Sequence, residues 1–330
     1  MPLGPFIRDA AGADSVSVDA GEVLTGGAIQ ENRALKVKVH GGPFEGTHEL
    51  VLRAEAAATI PESRPLEQQF RLLKAAHADG VNVPEPLWYC GNRSIAGKPF
   101  YLMRRIAGEA LGVRVTRMGP LPEIAATLGG ELARIHAIAP PDERLSFLEP
   151  VATSPALDAV ARYRGYLDAE PEPHPALEWT LRWLELNAPP AGEIVLCHRD
   201  FRTGNYMVDP ESGNRLTGIL DWEFAGWGDP HEDLAWFCAR CWRFSSPRLE
   251  AGGIADRRVF IEAYERASGR RMDPAQIAYW EAMAHVRWAV IALQQAMRHR
   301  SGAEPSLELA LIGRRIAELE YECLRLTGVL

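Results

Sequence analysis

The hydrophobic period of this chain changes once, and that change restricts its possible folds more than any other feature. In the first hundred or so residues the apolar positions alternate. Arg33 to His40 reads RALKVKVH, with Leu35, Val37 and Val39 on one side and Lys36 and Lys38 on the other, which is the period of a half-buried strand. Val16 to Leu24 alternates in part and is broken at Thr25-Gly26-Gly27-Ala28. Gly41-Gly42-Pro43 opens a turn and His48 to Arg53 returns as a strand. Leu87 to Cys90 and Phe100 to Met103 read as two more strands around a turn at Gly91 to Gly97, and Pro65 to Ala76 as a helix carrying Leu66, Phe70 and Leu73. Residues 1–15 read as a loose lead-in.

From about residue 120 the period becomes helical, roughly 3.6 residues. Leu121 to Ile138, Ala156 to Leu167, Leu177 to Leu186, Arg257 to Ala267, Pro274 to Arg298 and Ser306 to Leu326 are the expected helices. Only Ile194 to Cys197 and Ile219-Leu220 interrupt them, as short apolar runs flanking a polar loop. The expected class is therefore α+β: a small antiparallel β lobe with one helix over residues 1–103, then a larger, mainly helical lobe over 104–330.

The polar loop and its flanks hold the chemistry. Val195 to Phe237 contains His198, then Asp200, then Asn205, and Asp221 after a second short strand. Two carboxylates and an amide at facing strand ends can converge on a divalent cation, and oxygen donors of this kind suit magnesium, which also shares phosphate oxygens. A carboxylate beside such a site can take the proton of a substrate hydroxyl, the layout of phosphoryl transfer. An isolated His-x-Asp would read as a core histidine and a capping aspartate. A metallohydrolase around His198, Asp200 and Asp221 would need a second histidine-rich cluster that the sequence lacks.

The spacing H-x-D-x-x-x-x-N followed by I-x-D-x-E resembles the catalytic and metal loops of the aminoglycoside phosphotransferase and choline kinase-like family, and the branch near the kinase domains linked to acyl-CoA dehydrogenases. The resemblance runs from the Gly loop near residue 26 to about residue 240 and into the helices ending near Arg300. It implies a protein kinase-like two-lobed fold. By the same resemblance Asp200 is the catalytic base, Asn205 and Asp221 are the magnesium ligands, and His198 is a structural brace. Arg202 stands near the transferred phosphate, Gly26 and Gly27 cover the phosphates, and Arg53 replaces the usual nucleotide-phosphate lysine. Met103, Arg104 and Ile106 form the hinge that holds the nucleobase. The helix residue expected to pair with the strand cation is Gln69, with Glu67 as the alternative. Asp221-Trp222-Glu223 stands where protein kinases carry D-F-G.

The implied cofactors are Mg2+ and ATP, with GTP as the alternative donor. The implied partner is a small hydroxyl acceptor: a hydroxyacyl-CoA or other metabolite, or an aminoglycoside-like compound. The rival expectation is a nucleotide-binding pseudokinase without transfer activity. The net charge of −8 argues against a nucleic-acid partner, and no apolar run approaches the ~20 residues of a membrane span. The five cysteines are odd in number and scattered, the first residues do not read as a signal peptide, and a reducing, cytoplasmic location is expected. Cys238-x-x-Cys241 has no second pair, so buried thiols are expected there rather than a metal. Asp233 reads as a helix cap or a brace for the polar loop, and Trp222, Trp227, Trp236 and Trp242 as packing residues.

Overall fold

The computed structural model describes residues 3–24, 31–55, 61–151 and 154–330. The first elements in chain order are α1 (Leu3–Ala11), β1 (Ser15–Leu24), β2 (Glu31–His40), β3 (Gly46–Ala54), α2 (Leu66–Ala78), β4 (Pro86–Cys90), α3 (Arg93–Ala96) and β5 (Phe100–Arg104). Next come α4 (Gly112–Arg117), α5 (Pro122–Ile135), α6 (Pro155–Asp168), α7 (Pro175–Leu186), β6 (Val195–Cys197), β7 (Tyr206–Asp209), β8 (Arg215–Ile219) and β9 (Gly226–Gly228). Last are α8 (Pro230–Cys238), α9 (Arg257–Ser268), α10 (Pro274–Arg300), α11 (Leu307–Gly313) and α12 (Ile316–Leu326). The α+β class expected from the period change holds.

The chain divides into two compact units. The first comprises Met1–Leu111, Glu143–Phe147 and Gly204–Ala225; the second comprises Gly112–Asp142, Leu148–Thr203 and Gly226–Leu330. The hairpin β7–β8, drawn from sequence within 104–330, groups with the first unit.

The first unit is built on an antiparallel sheet of five strands in the order β1-β2-β3-β5-β4. Its alternation is the one read from sequence: Leu35, Val37 and Val39 are buried while Lys36 and Lys38 are exposed. Leu35 pairs with Leu50, and Leu52 with Leu102, so one face becomes continuous and apolar. That face is covered by α1 through Leu3, Ile7 and Ala11, a helical spacing of four residues. The loose lead-in expected at 1–15 is thus corrected. Gly4-Pro5 disguises the helix in the sequence, but both residues fall in its first turn, where a proline's missing N–H costs no bond. Val51 and Arg53 point to the opposite face by the two-residue alternation of a strand. There α2 packs against β4 and β5, with Phe70 meeting the rings of Tyr89 and Tyr101 at 6.0 and 5.6 Å.

The second unit is helical apart from the pair β6–β9, in which Val195 faces Gly228 and Cys197 faces Gly226. Helices α5 and α9 pack closely because Gly129 has no side chain: a Cβ there would stand 2.5 Å from the carbonyl oxygen of Phe260. The single helix expected over Ser306 to Leu326 is two, broken after Gly313. A Cβ at Gly313 would come within 2.6 Å of Ala296, so glycine is needed for contact with α10, and glycine also weakens helix continuation. No helix of the described residues is long and apolar enough to cross a membrane.

Candidate active site

In the first unit the open end of the hairpin β7–β8 carries two residues with oxygen-bearing side chains. Asn205 immediately precedes β7 and Asp221 follows β8 by two residues, and the Leu220 N–H donates to the Asn205 carbonyl at 2.8 Å. Asp221 has a left-handed backbone, φ 67°, a conformation that costs a non-glycine residue of order 1 kcal/mol and persists only where its surroundings enforce it. Arg53 supplies part of that enforcement. Its guanidinium donates to Asp221 Oδ1 at 2.5 Å, and the pair is largely buried. Burial works against the Arg53 charge, but Tyr101, Asp221 and Glu223 more than reverse that, and the guanidinium is held above its ordinary value. Burial also pushes the Tyr101 phenol up, against the pull of Arg53.

Glu223 is buried too. Its side chain accepts from the Ser63 hydroxyl at 3.0 Å, and its carbonyl accepts from the Arg64 N–H at 2.8 Å. The Arg64 guanidinium donates to the Ala225 carbonyl. Gln69 on α2 is buried and donates to the Arg64 carbonyl at 2.7 Å, whereas Glu67 is exposed. The carboxylates facing the strand cation are therefore Asp221 and Glu223, and α2 is linked to the segment after β8 through the Arg64 backbone. At the end of β5 the Arg104 N–H donates to the Glu85 carbonyl and the Arg105 N–H to the Glu49 carbonyl, both at 2.9 Å. Met103 and Ile106 are half-buried. Gly26 and Gly27 lie outside the described residues.

In the second unit the loop after β6 is fixed by a buried network. Asp233 on α8 accepts from the His198 and Arg199 backbone N–H groups at 2.6 and 2.7 Å, so it is the brace, and Asp229 is the N-cap of α8. His136 stands 3.2 Å from Asp233 and 2.8 Å from the Tyr264 hydroxyl. Burial opposes the Asp233 charge, yet the bond from His136 and the nearby charges hold its carboxyl below the usual range. The Asp200 N–H donates to His198 Nδ1 at 3.2 Å, which is the bracing role expected for His198. Thr203 donates to the Gly252 carbonyl at 2.7 Å and closes the loop.

The Asp200 carboxylate is held by Arg202, which the resemblance sets near the transferred phosphate, and by Trp236, which the sequence offers as a packing residue. Its Oδ1 accepts from Arg202 Nε at 3.1 Å and from the Trp236 indole N–H at 3.0 Å. The Arg202 guanidinium lies over the Trp242 ring at 4.4 Å, and Trp236 and Trp242 are 5.2 Å apart. Trp236 has an N–H as well as a ring, but nothing local in the sequence links it to Asp200, thirty-six positions away.

Two donor sets suit a metal to different degrees. Asn205 and Asp221 offer hard oxygen atoms on adjoining chain ends, the chemistry magnesium requires. Among the described residues His136, Cys197 and Asp233 also lie within ligand distance of one another. Their atoms are already committed, however: His136 to Tyr264 and Asp233, Cys197 to the Asp229 carbonyl at 3.3 Å, and Asp233 to two backbone N–H groups. Burial pushes the Cys197 thiol well up, away from the thiolate a metal would need. That cluster is a structural network. All five cysteines are buried and free, as expected for Cys238 and Cys241.

The family model described as "Phosphotransferase enzyme family" matches residues 22–280. Acyl-CoA dehydrogenase family member 10 of Mus musculus is 32% identical over 273 residues, covering 77% of this chain and 24% of the relative. The chain thus spans about a quarter of that relative's length. Among solved structures, a putative aminoglycoside phosphotransferase from Ralstonia eutropha matches with a TM-score of 0.76 and 21% identity, over 99% of this chain and 97% of the other. A spectinomycin phosphotransferase in complex with ADP and spectinomycin matches with a TM-score of 0.63 and 14% identity, over 99% and 98% of the two chains. At these identities the structures establish a shared kinase-like fold.

Proposed function

Because the chain belongs to the phosphotransferase enzyme family, we propose that it is a small-molecule kinase that transfers the γ-phosphate of ATP, or of GTP, to the hydroxyl of a small acceptor. The observation that carries this reading is the hairpin end, where Asn205 and Asp221 offer oxygen donors beside the buried cation Arg53. Asn205 and Asp221 would hold magnesium, which when bound neutralises phosphate charge and fixes its orientation. Arg53 turns a planar fork of donors to phosphate oxygens. Residues Met103 to Ile106 receive the base edge, and residues 1–103 form the nucleotide-binding lobe.

Asp200 orients the acceptor hydroxyl and takes its proton as the oxygen attacks phosphorus. Arg202 carries positive charge toward the transferred group. Positioning and electrostatics supply the acceleration. Residues 104–330 bind the acceptor. A hydroxyacyl thioester ranks ahead of an aminoglycoside, because the sequence relative above is named as an acyl-CoA dehydrogenase family member. A cytoplasmic enzyme is consistent with its free cysteines.

The test is phosphate transfer from Mg-ATP and Mg-GTP to a panel of hydroxyacyl-CoAs, aminoglycosides, macrolides, choline-like amines and sugars, with Asp200→Asn as the blank. General-base loss is worth about 10²–10⁴ in rate, so a product that falls by that amount in the variant identifies donor, acceptor and base together. Transfer unchanged in Asp200→Asn would sink the assignment of the base. Nucleotide binding with no transfer to any acceptor would favour the pseudokinase.

A further inference from the structure

Helix α8 grips the Asp200 loop twice. Asp233 accepts the backbone N–H groups of His198 and Arg199, and Trp236, three residues on, donates its indole N–H to the Asp200 carboxylate at 3.0 Å. Positions three apart on a helix share a face, so one rigid surface fixes both the backbone of the loop and the orientation of its carboxylate. The indole is itself fixed. It is 2% exposed, Trp242 packs on it with centroids 5.2 Å apart, and the Arg287 guanidinium lies over it at 4.6 Å. Arg287 also donates to the Arg199 carbonyl, which ties the indole's cover to the same loop. Arg202, the second donor to Asp200 Oδ1, is laid on Trp242. Both donors thus reach one oxygen from aromatic supports, Arg202 from within the loop and Trp236 from α8.

We infer that Trp236 is a positioning residue for phosphoryl transfer: its indole N–H holds the Asp200 carboxylate in the orientation from which it takes the acceptor proton. The inference rests on the reading of Asp200 as the base. It goes beyond packing: Trp236→Phe removes the donor together with one ring of buried volume, so a measurement that leaves the indole in place is paired with it. A hydrogen bond to a charged group, once removed, corresponds to about a tenfold to hundredfold change.

The probe is phosphate release from Mg-ATP and Mg-GTP with water as acceptor, measured for the wild-type chain, Trp236→Phe and Asp200→Asn. In Trp236→Phe the expected result is kcat reduced about tenfold or more, with KM for the nucleotide within about twofold of wild type. A purely structural role would move KM and thermal stability together with kcat. A second measurement leaves the indole in place. Of the nine tryptophan side-chain N–H resonances, the one from Trp236 moves upfield in Asp200→Ala as its charged acceptor is removed. Normal kcat in Trp236→Phe beside a dead Asp200→Asn, or an unmoved Trp236 resonance, overturns the inference and leaves the base assignment standing. Wild type and Asp200→Asn releasing phosphate alike overturns both.

Discussion

Arg53 concentrates the electrostatics of the first unit in one side chain. It is buried on β3 with Asp221 as bonded partner and Glu223 as a second facing charge. Breaking a buried pair from one side strands the other charge, which costs about 3–5 kcal/mol. Asp221 keeps about a fifth of its side chain exposed, so Arg53→Met is expected at the lower end, about 3 kcal/mol, in a denaturant titration. Arg53→Lys should recover part of the loss, since a lysine keeps the charge without the fork. In the second unit Asp233 plays the corresponding part. Its folded carboxyl is held below the ordinary aspartate value. Its contribution is therefore complete above that value and is lost as pH falls through the lower folded value. Stability measured downward from about pH 4 should fall in the wild-type chain and fall less steeply in Asp233→Asn.

Among elements, the close crossing of α5 and α9 is the most exacting. Gly129→Ala would improve helix propensity by about 1 kcal/mol, yet its methyl would press on the Phe260 carbonyl and the Tyr264 N–H, both backbone. Overpacking of this kind costs about 1–3 kcal/mol, so a net loss of stability is expected, read as a lowered melting temperature. Legibility from sequence also sorted by element. Strand β2 was plain because its alternation is set by burial on one face only. Helix α1 was not, since Gly4-Pro5 is a breaker in an interior and harmless in a first turn. The break at Gly313 was invisible, because it depends on Ala296, a residue of another helix. The candidate residues follow the same rule. Spacing alone nominates Asp200, Asn205 and Asp221, whereas Trp236 meets Asp200, and Ser63 meets Glu223, only through the fold.

For the whole molecule, the functional reading predicts linkage between nucleotide and stability. A ligand at about a hundred times its Kd adds roughly 2.7 kcal/mol to the folded state. Mg-ATP or Mg-GTP should therefore raise the melting temperature of the wild-type chain by several degrees, and should fail to do so in Asp221→Asn. A scan in which both proteins gain equally would remove Asp221 from the metal site. Thiol reactivity offers a global probe as well: all five cysteines are buried, and burial pushes the Cys238 and Cys323 thiols up to about 12, so thiol reagents should label these two only on unfolding.

The two hydrogen bonds that the His198 and Arg199 amides donate to Asp233 have a kinetic corollary. Both protons end on a carboxylate with no solvent exposure, and Arg199 is wound left-handed, φ 62°, around that anchor. Solvent deuterium can reach them only when α8 lifts away. In a native-state exchange experiment these two loop amides should persist as long as those of the interior helices, while the exposed turns of the same unit exchange early. A loop of this kind keeps its time with the core.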